Sequence, residues 1–242
     1  MTTVLLGSTL SAMSTGLGAL IVLFISQSMS HRFRDILLAF TAGVMMAACM
    51  LGLIPEALEL GGYAPLCIGM YFGVITLTTL EKTIPHIDLH HHSGTIQFDE
   101  KAKLVIVAIM LHNIPEGLSV GVSYASSIEE TGNLIALAIG LQNAPEGFLV
   151  ALFLYNQNIS KLKSFLIATS TGSVEIFSAL LGYYTATYVI NLVPFGLAFA
   201  AGAMLFIIYK ELIPESHGDG NERVATYSFI IGLLVMILLL GV

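Results

Sequence analysis

Long apolar stretches, broken at intervals by charge or by Gly and Pro, dominate the pattern of this chain. They define eight segments: 4–26, 36–58, 63–84, 104–126, 132–155, 164–188, 194–214 and 225–242. A helix crossing the hydrocarbon core needs about 20 predominantly apolar residues, and each segment comes close to that length. The pattern predicts an all-α polytopic membrane protein with eight transmembrane helices. No basic residue precedes the first apolar run, which is too long for the core of a signal peptide, so it is read as helix 1.

Composition agrees and excludes an ordinary soluble domain. Of 242 residues, 56% are hydrophobic and 10% charged, against roughly 25% charged in soluble domains. The 23 glycines, with runs such as Ser14 to Ala19, suit helices that pack closely through small residues. Trp is absent, so the nine Tyr supply the interfacial aromatic anchors. Cys49 and Cys67 fall in or beside apolar runs, which argues against a disulfide framework.

Charge sets the expected orientation, because Lys and Arg accumulate in cytoplasmic loops. Arg32 and Arg34 lie in loop 1–2, Lys82, Lys101 and Lys103 in or beside loop 3–4, Lys161 and Lys163 in loop 5–6, and Lys210 and Arg223 around loop 7–8. All nine basic residues therefore share one side, and Glu56, Glu59, Glu129 and Glu130 the other. Both termini are expected outside, with the cell (inner) membrane as the location. The net charge of -7 adds little.

Two internal repeats organise the chain. Residues 40–56 (FTAGVMMAACMLGLIPE) and 199–215 (FAAGAMLFIIYKELIPE) match at eight of 17 positions with a constant offset of 159. Helix 2 would run outward and helix 7 inward, as in inverted-repeat transporters, so helices 1–3 are expected to mirror helices 6–8. A second repeat, at offset 30, matches LHNIPEGLSV (111–120) to LQNAPEGFLV (141–150) at six of ten positions. Helices 4 and 5 then form an antiparallel central pair.

The chemistry lies in that pair. Between Leu104 and Ile128 the only charged residue is Glu116, between Thr131 and Ser160 only Glu146, and between Ser164 and Tyr209 only Glu175. A charge at mid-membrane costs on the order of 3 kcal/mol, so these carboxylates must face one another, water or a cation. No Lys or Arg lies near them in sequence, which leaves shared protons or bound metal. His112, Asn113 and Glu116 project from one face of helix 4 through i, i+3 and i, i+4 spacing, and helix 5 repeats the face with Gln142, Asn143 and Glu146. Pro115 and Pro145 free the carbonyls of Leu111 and Leu141 beside these groups. The bland alternative is a proline-containing helix pair whose Glu and Asn merely hydrogen-bond each other.

The motifs HNIPEG (112–117) and QNAPEG (142–147), Glu175 in TGSVE, and AGVMM at 42–46 together resemble the ZIP (Zrt-, Irt-like protein) family of divalent metal transporters. The resemblance spans all eight helices. It implies a three-plus-two-plus-three arrangement, metal import into the cytoplasm and a two-metal site. One position would use Met45, His112, Glu116, Gln142 and Glu146. The other would use Asn113, Glu116, Asn143, Glu146 and Glu175. Gln142 stands where many members carry His, and Asn143 where an Asp can occur, so the second position is the less negative.

At the path ends, Glu56 and Glu59 are expected at an outer mouth, with Glu211, Glu215 and His217, joined by Glu81, at the inner end. An acidic mouth concentrates cations. Lys210 beside Glu211 departs from the His-Glu pair expected in similar sequences. Loop 85–103 carries His86, Asp88, His90, His91 and His92, a tract able to bind transition metals. One transporter domain, 1–242, is expected. Its substrate would be Zn(II) first, with Fe(II), Mn(II) or Cd(II) as alternatives, because mixed thioether, imidazole, amide and carboxylate ligands suit borderline metals. No cofactor is implied. The expected partners are divalent metal ions and the lipid bilayer, with a homodimer as candidate assembly and no nucleic acid. An intramembrane metal-dependent hydrolase is the main alternative, although no H-E-x-x-H motif is present. A proton conductor or metal sensor is a third.

Overall fold

The computed structural model describes residues 1–25, 30–83, 98–126, 129–218 and 220–241. They form eight helices. We label these α1 (Thr2–Leu23), α2 (His31–Gly61), α3 (Tyr63–Thr83), α4 (Phe98–Ala125), α5 (Glu129–Asn156), α6 (Lys161–Tyr188), α7 (Val193–Ser216) and α8 (Glu222–Leu240). Among the described residues, all but α4 contain a stretch long and apolar enough to cross a membrane.

The helices match the eight expected segments, with instructive differences at their ends. Helix α4 starts at Phe98, not 104, and so takes in the last part of the expected loop 85–103. The backbone is helical there although so charged a stretch, with Asp99, Glu100, Lys101 and Lys103, reads as loop. Helix α6 is interrupted for one residue at Gly172, between Lys161–Thr171 and Ser173–Tyr188.

A second local feature was not anticipated. Helix α2 widens into a π-turn at Ala48–Leu53 and α7 at Ile208–Leu212, and Ile-Pro-Glu follows immediately in both, at 54–56 and 213–215. The two copies of the offset-159 repeat thus share this distortion at matching register. The cause is legible in the sequence: Pro55 and Pro214 cannot donate to the preceding turn, and their rings crowd the carbonyl four residues back. Widening the turn lets the helix continue past the proline instead of breaking.

The helices associate mainly in four pairs, α1 with α5, α4 with α6, α3 with α7 and α2 with α8. Glycine brings the backbones together in each pair. In α2/α8, a Cβ on Gly43 would collide with the Phe229 carbonyl and one on Gly232 with the Phe40 carbonyl. In α3/α7, Gly202 meets the Met70 carbonyl and Gly73 the Phe199 carbonyl. Every residue in the second set lies 159 positions from its counterpart in the first. Gly18 and Gly147 do the same for α1/α5, and Gly117 and Gly121 for α4/α6. Such contacts suit a lipid environment, where helices gain association energy from close packing more than from the hydrophobic effect.

The faces are sorted accordingly. On α1 the buried face carries Gly7, Ser8, Ser11, Thr15 and Gly18, whereas Leu6, Leu10, Met13 and Leu17 point outward. This reverses the amphipathic pattern of a soluble helix. The largest apolar cluster lies where α2 and α7 meet α4 and α5, and includes Met45, Cys49, Leu53, Val120, Ile139, Leu197 and Met204.

Candidate functional site: a polar seam between α4, α5, α6 and α1

Helices α4 and α5 contact each other, and the offset-30 repeat places matching polar groups on both. Glu116, Gln142 and Asn143 are fully or almost fully buried, as is Asn113. The carboxylate of Glu116 bridges the two helices: its Oε1 accepts from Gln142 Nε2 at 2.8 Å. Glu116 Oε2, Gln142 Oε1 and Asn143 Oδ1 are buried and meet no hydrogen-bond donor among the described residues. Three acceptor oxygens in this condition are costly in a low-dielectric interior, where an unsatisfied polar group loses about 1–3 kcal/mol.

Glu175, contributed by α6, is held differently. Asn143 Nδ2 lies 2.9 Å from Oε1 and 2.8 Å from Oε2. Ser11 Oγ donates to Oε2 at 2.9 Å and Thr15 Oγ1 to Oε1 at 3.4 Å, both from α1. Asn143 Nδ2 also lies 3.3 Å from the Ser11 carbonyl and from Ser11 Oγ. Hydrogen bonds to a charged acceptor contribute about 1.5–3 kcal/mol each. The donors around Glu175 therefore offset part of the cost of burying it. Asn113 Nδ2 donates to the Thr171 carbonyl at 3.0 Å, tying α4 to the end of the first segment of α6.

One helical turn away, His112 Nε2 sits 3.0 Å from Glu211 Oε2 of α7, with both side chains partly accessible. The charges of Glu146 act on both of these groups. Glu116, Glu146 and Glu175 belong to three adjacent helices, α4, α5 and α6.

Among the described residues, no three His, Cys, Asp or Glu side chains are gathered closely enough to hold a metal ion. The seam is instead built from carboxylate and amide couples that cross between helices. Met45 is buried in the adjoining apolar cluster of α2. Of the expected path ends, Glu211 lies against His112, whereas Glu56 is buried near the end of α2 and Glu59 is exposed there. Glu81 lies in the last turn of α3 and Glu215 in the last turn of α7. His217 Nδ1 is 2.9 Å from the Ile213 carbonyl and 2.9 Å from Ser216 Oγ, which makes it part of the end of that helix. Lys210 is exposed. His86, His90, His91 and His92 lie outside the described residues.

Sequence reasoning missed Ser11 and Thr15. Their signal was the spacing Ser8, Ser11, Thr15, a stripe of hydroxyls on one face of the helix.

A family model described as ZIP Zinc transporter matches residues 80–240, a stretch containing both P-E-G motifs, Glu175 and the second repeat copy. This chain belongs to the ZIP family. Zinc transporter GufA of Myxococcus xanthus is 37% identical over 247 aligned residues, covering 97% of this chain and 96% of GufA. Zinc transporter ZIPB of Bordetella bronchiseptica is 33% identical, covering 97% of this chain and 79% of ZIPB. Zinc transporter ZupT of Streptococcus mutans is 29% identical, covering 94% and 92%. ZIP membership also displaces the intramembrane hydrolase as a reading of these carboxylates, because the matched family is one of transporters.

Proposed function

We propose that this ZIP protein carries Zn(II), and related divalent transition-metal ions, into the cytoplasm along the seam between α4 and α5. The carrying observation is the set of buried oxygens on Glu116, Gln142 and Asn143 that meet no donor among the described residues, acceptors of the kind a cation needs. His112, Glu116, Gln142 and Glu146, with Met45 from α2, are the ligands proposed for the ion. Imidazole, thioether, amide and carboxylate together favour a borderline metal over Mg(II), which prefers oxygen and keeps its waters. The zinc assignment is supported by the relatives, three of which are named zinc transporters.

In this reading Glu211 receives the ion from His112, and Glu215, His217 and Glu81 lie further along the inner path. Glu56 and Glu59 form the outer mouth. The cytoplasmic side is the one carrying all nine basic residues, with both termini outside. The halves α1–α3 and α6–α8 are inverted copies. Three features support this: the offset-159 repeat, the π-turns at matching register, and the two glycine sets that exchange under the same offset. Movement of one helix group against another would exchange the ligands between outward and inward access.

Zn(II) uptake into proteoliposomes holding the purified protein tests the reading, with a peptide-hydrolysis assay run in parallel. Accumulation of Zn(II) above protein-free vesicles is the expected result. Folded, reconstituted protein that moves no metal would overturn it.

A further inference from the structure

The buried polar groups of this seam divide into two kinds, and the division bears on how many ions the chain holds. Around Glu116, acceptors are left over: among the described residues, Glu116 Oε2, Gln142 Oε1 and Asn143 Oδ1 have no donor. Around Glu175 the reverse is true, since both carboxylate oxygens are engaged by Ser11, Thr15 and Asn143. Ser11 and Thr15 are buried, and both come from α1, a helix that contributes no carboxylate. Asn143 turns its nitrogen edge to Glu175, and so presents a donor where a metal position needs an acceptor. Asn113 likewise spends its nitrogen on the Thr171 carbonyl.

We infer that Glu175 is the anchor of a hydrogen-bonded clasp joining α1, α5 and α6, with Ser11, Thr15 and Asn143 as its positioning residues, and that the chain holds one metal ion at a time. This rests on the proposed metal path through the α4–α5 seam. It assigns the neighbouring position, where a second ion would sit, to protein hydrogen bonds. The clasp sets the face that Asn143 presents to Gln142 and Glu116, and so orients the ligands of the single ion without touching it. A chain with Asp at 143 would lose the amide donor and gain a carboxylate facing Glu175, which converts the clasp into an ion site.

Counting bound Zn(II) tests this on the purified full-length chain, by equilibrium dialysis and elemental analysis. The comparison is made by difference, so that metal held by the loop histidines cancels. Glu175→Gln is expected to hold as many ions as wild type, and Asn143→Asp one more. Loss of an ion in Glu175→Gln, or no gain in Asn143→Asp, overturns the inference. Glu116→Ala serves as the separate check on the underlying reading, which fails if that variant keeps every ion. In proteoliposomes, the double variant Ser11→Ala with Thr15→Val is expected to lower maximal uptake roughly tenfold, as loss of hydrogen bonds to a charged group predicts. Its KM is expected to stay near wild type, and Ser11→Thr, which keeps the hydroxyl, to preserve the rate. A raised KM with unchanged maximal rate would show that the two hydroxyls are not positioning groups.

Discussion

Two groups of four helices share one packing rule and differ in what they enclose. In the first, α1, α4, α5 and α6, glycines press backbones together around Ser11, Thr15, Asn113, Glu116, Asn143 and Glu175. In the second, α2, α3, α7 and α8, equally close glycine contacts enclose alanine, leucine and methionine, and the buried acids Asp35 and Glu56 lie towards the two ends of α2. Close backbone approach is thus the general solution to helix association in this chain. Polar filling is a local departure from it, concentrated in the group that holds the P-E-G motifs, where Glu116, Gln142, Asn143 and Glu175 are buried together. Asp35 illustrates the contrast. Its Oδ2 accepts from Asn221 at 2.9 Å and its neighbour is Arg34, so it is paired where it stands.

The comparison breaks most sharply at the ligands. Glu116→Ala, His112→Ala and Glu146→Ala should each reduce Zn(II) uptake by more than roughly 100-fold, since even outer-shell partners of metal ligands are worth 10 to 100-fold. Membrane insertion should survive, because removing a carboxylate from the apolar interior relieves its burial cost. Uptake at matched expression is the measurement, and normal transport by Glu116→Ala would sink the assignment.

In the second group the effect should fall on stability instead. Gly43→Leu and Gly202→Leu each place side-chain atoms against a carbonyl of the partner helix, and overpacking of this kind costs about 1–3 kcal/mol. Thermal unfolding in detergent should drop by similar amounts in the two variants, with transport per folded molecule largely kept. Unequal losses would argue against structural equivalence of the two copies.

A smaller shift is expected in selectivity. Gln142→His exchanges an amide oxygen for an imidazole and should tilt uptake toward Zn(II) over Mn(II). Met45→Ala should weaken Cd(II) most, because thioether sulfur favours soft ions. Competition uptake of Cd(II) against Mn(II) decides it. An unchanged preference would make Met45 a packing residue only, a common use of methionine.

The mildest perturbation is a label. Single cysteines placed in loops 1–2, 3–4, 5–6 and 7–8, for example Ser93→Cys on a Cys67→Ser background, should react from the cytoplasmic side and leave uptake unchanged. Reaction at Ser93→Cys from outside intact cells would reverse the orientation of both groups.

The eight helices and the P-E-G faces were legible because each leaves a local mark: twenty apolar residues, or polar groups three and four apart on one helix. What the chain hid is of two kinds. Contacts between distant residues, such as His112 with Glu211 or Ser11 with Glu175, depend on which helices become neighbours, and no local spacing encodes that. Weak local marks were outweighed by stronger ones. The charges at 99–103 read as loop although the backbone there is helical, and Thr15 fell in a run read as small packing residues, while Ser11 drew no reading. The prolines at 55 and 214 were visible, but their answer in the backbone, a widened turn, was not.

Those widened turns also change how α2 and α7 must be indexed. An α-helix advances about 100° per residue, and a π-turn accommodates one more residue than an α-turn in the same circuit. Side chains beyond Leu53, Glu56 among them, are therefore out of phase with those before Ala48 by about that angle. A helical wheel drawn through α2 from Met45 would aim Glu56 at the wrong neighbour, and the same error would recur from Met204 to Glu215 in α7. Deleting one residue from either turn would let it close to an ordinary α-turn, leaving the direction of every downstream side chain and the length of the helix almost unaltered.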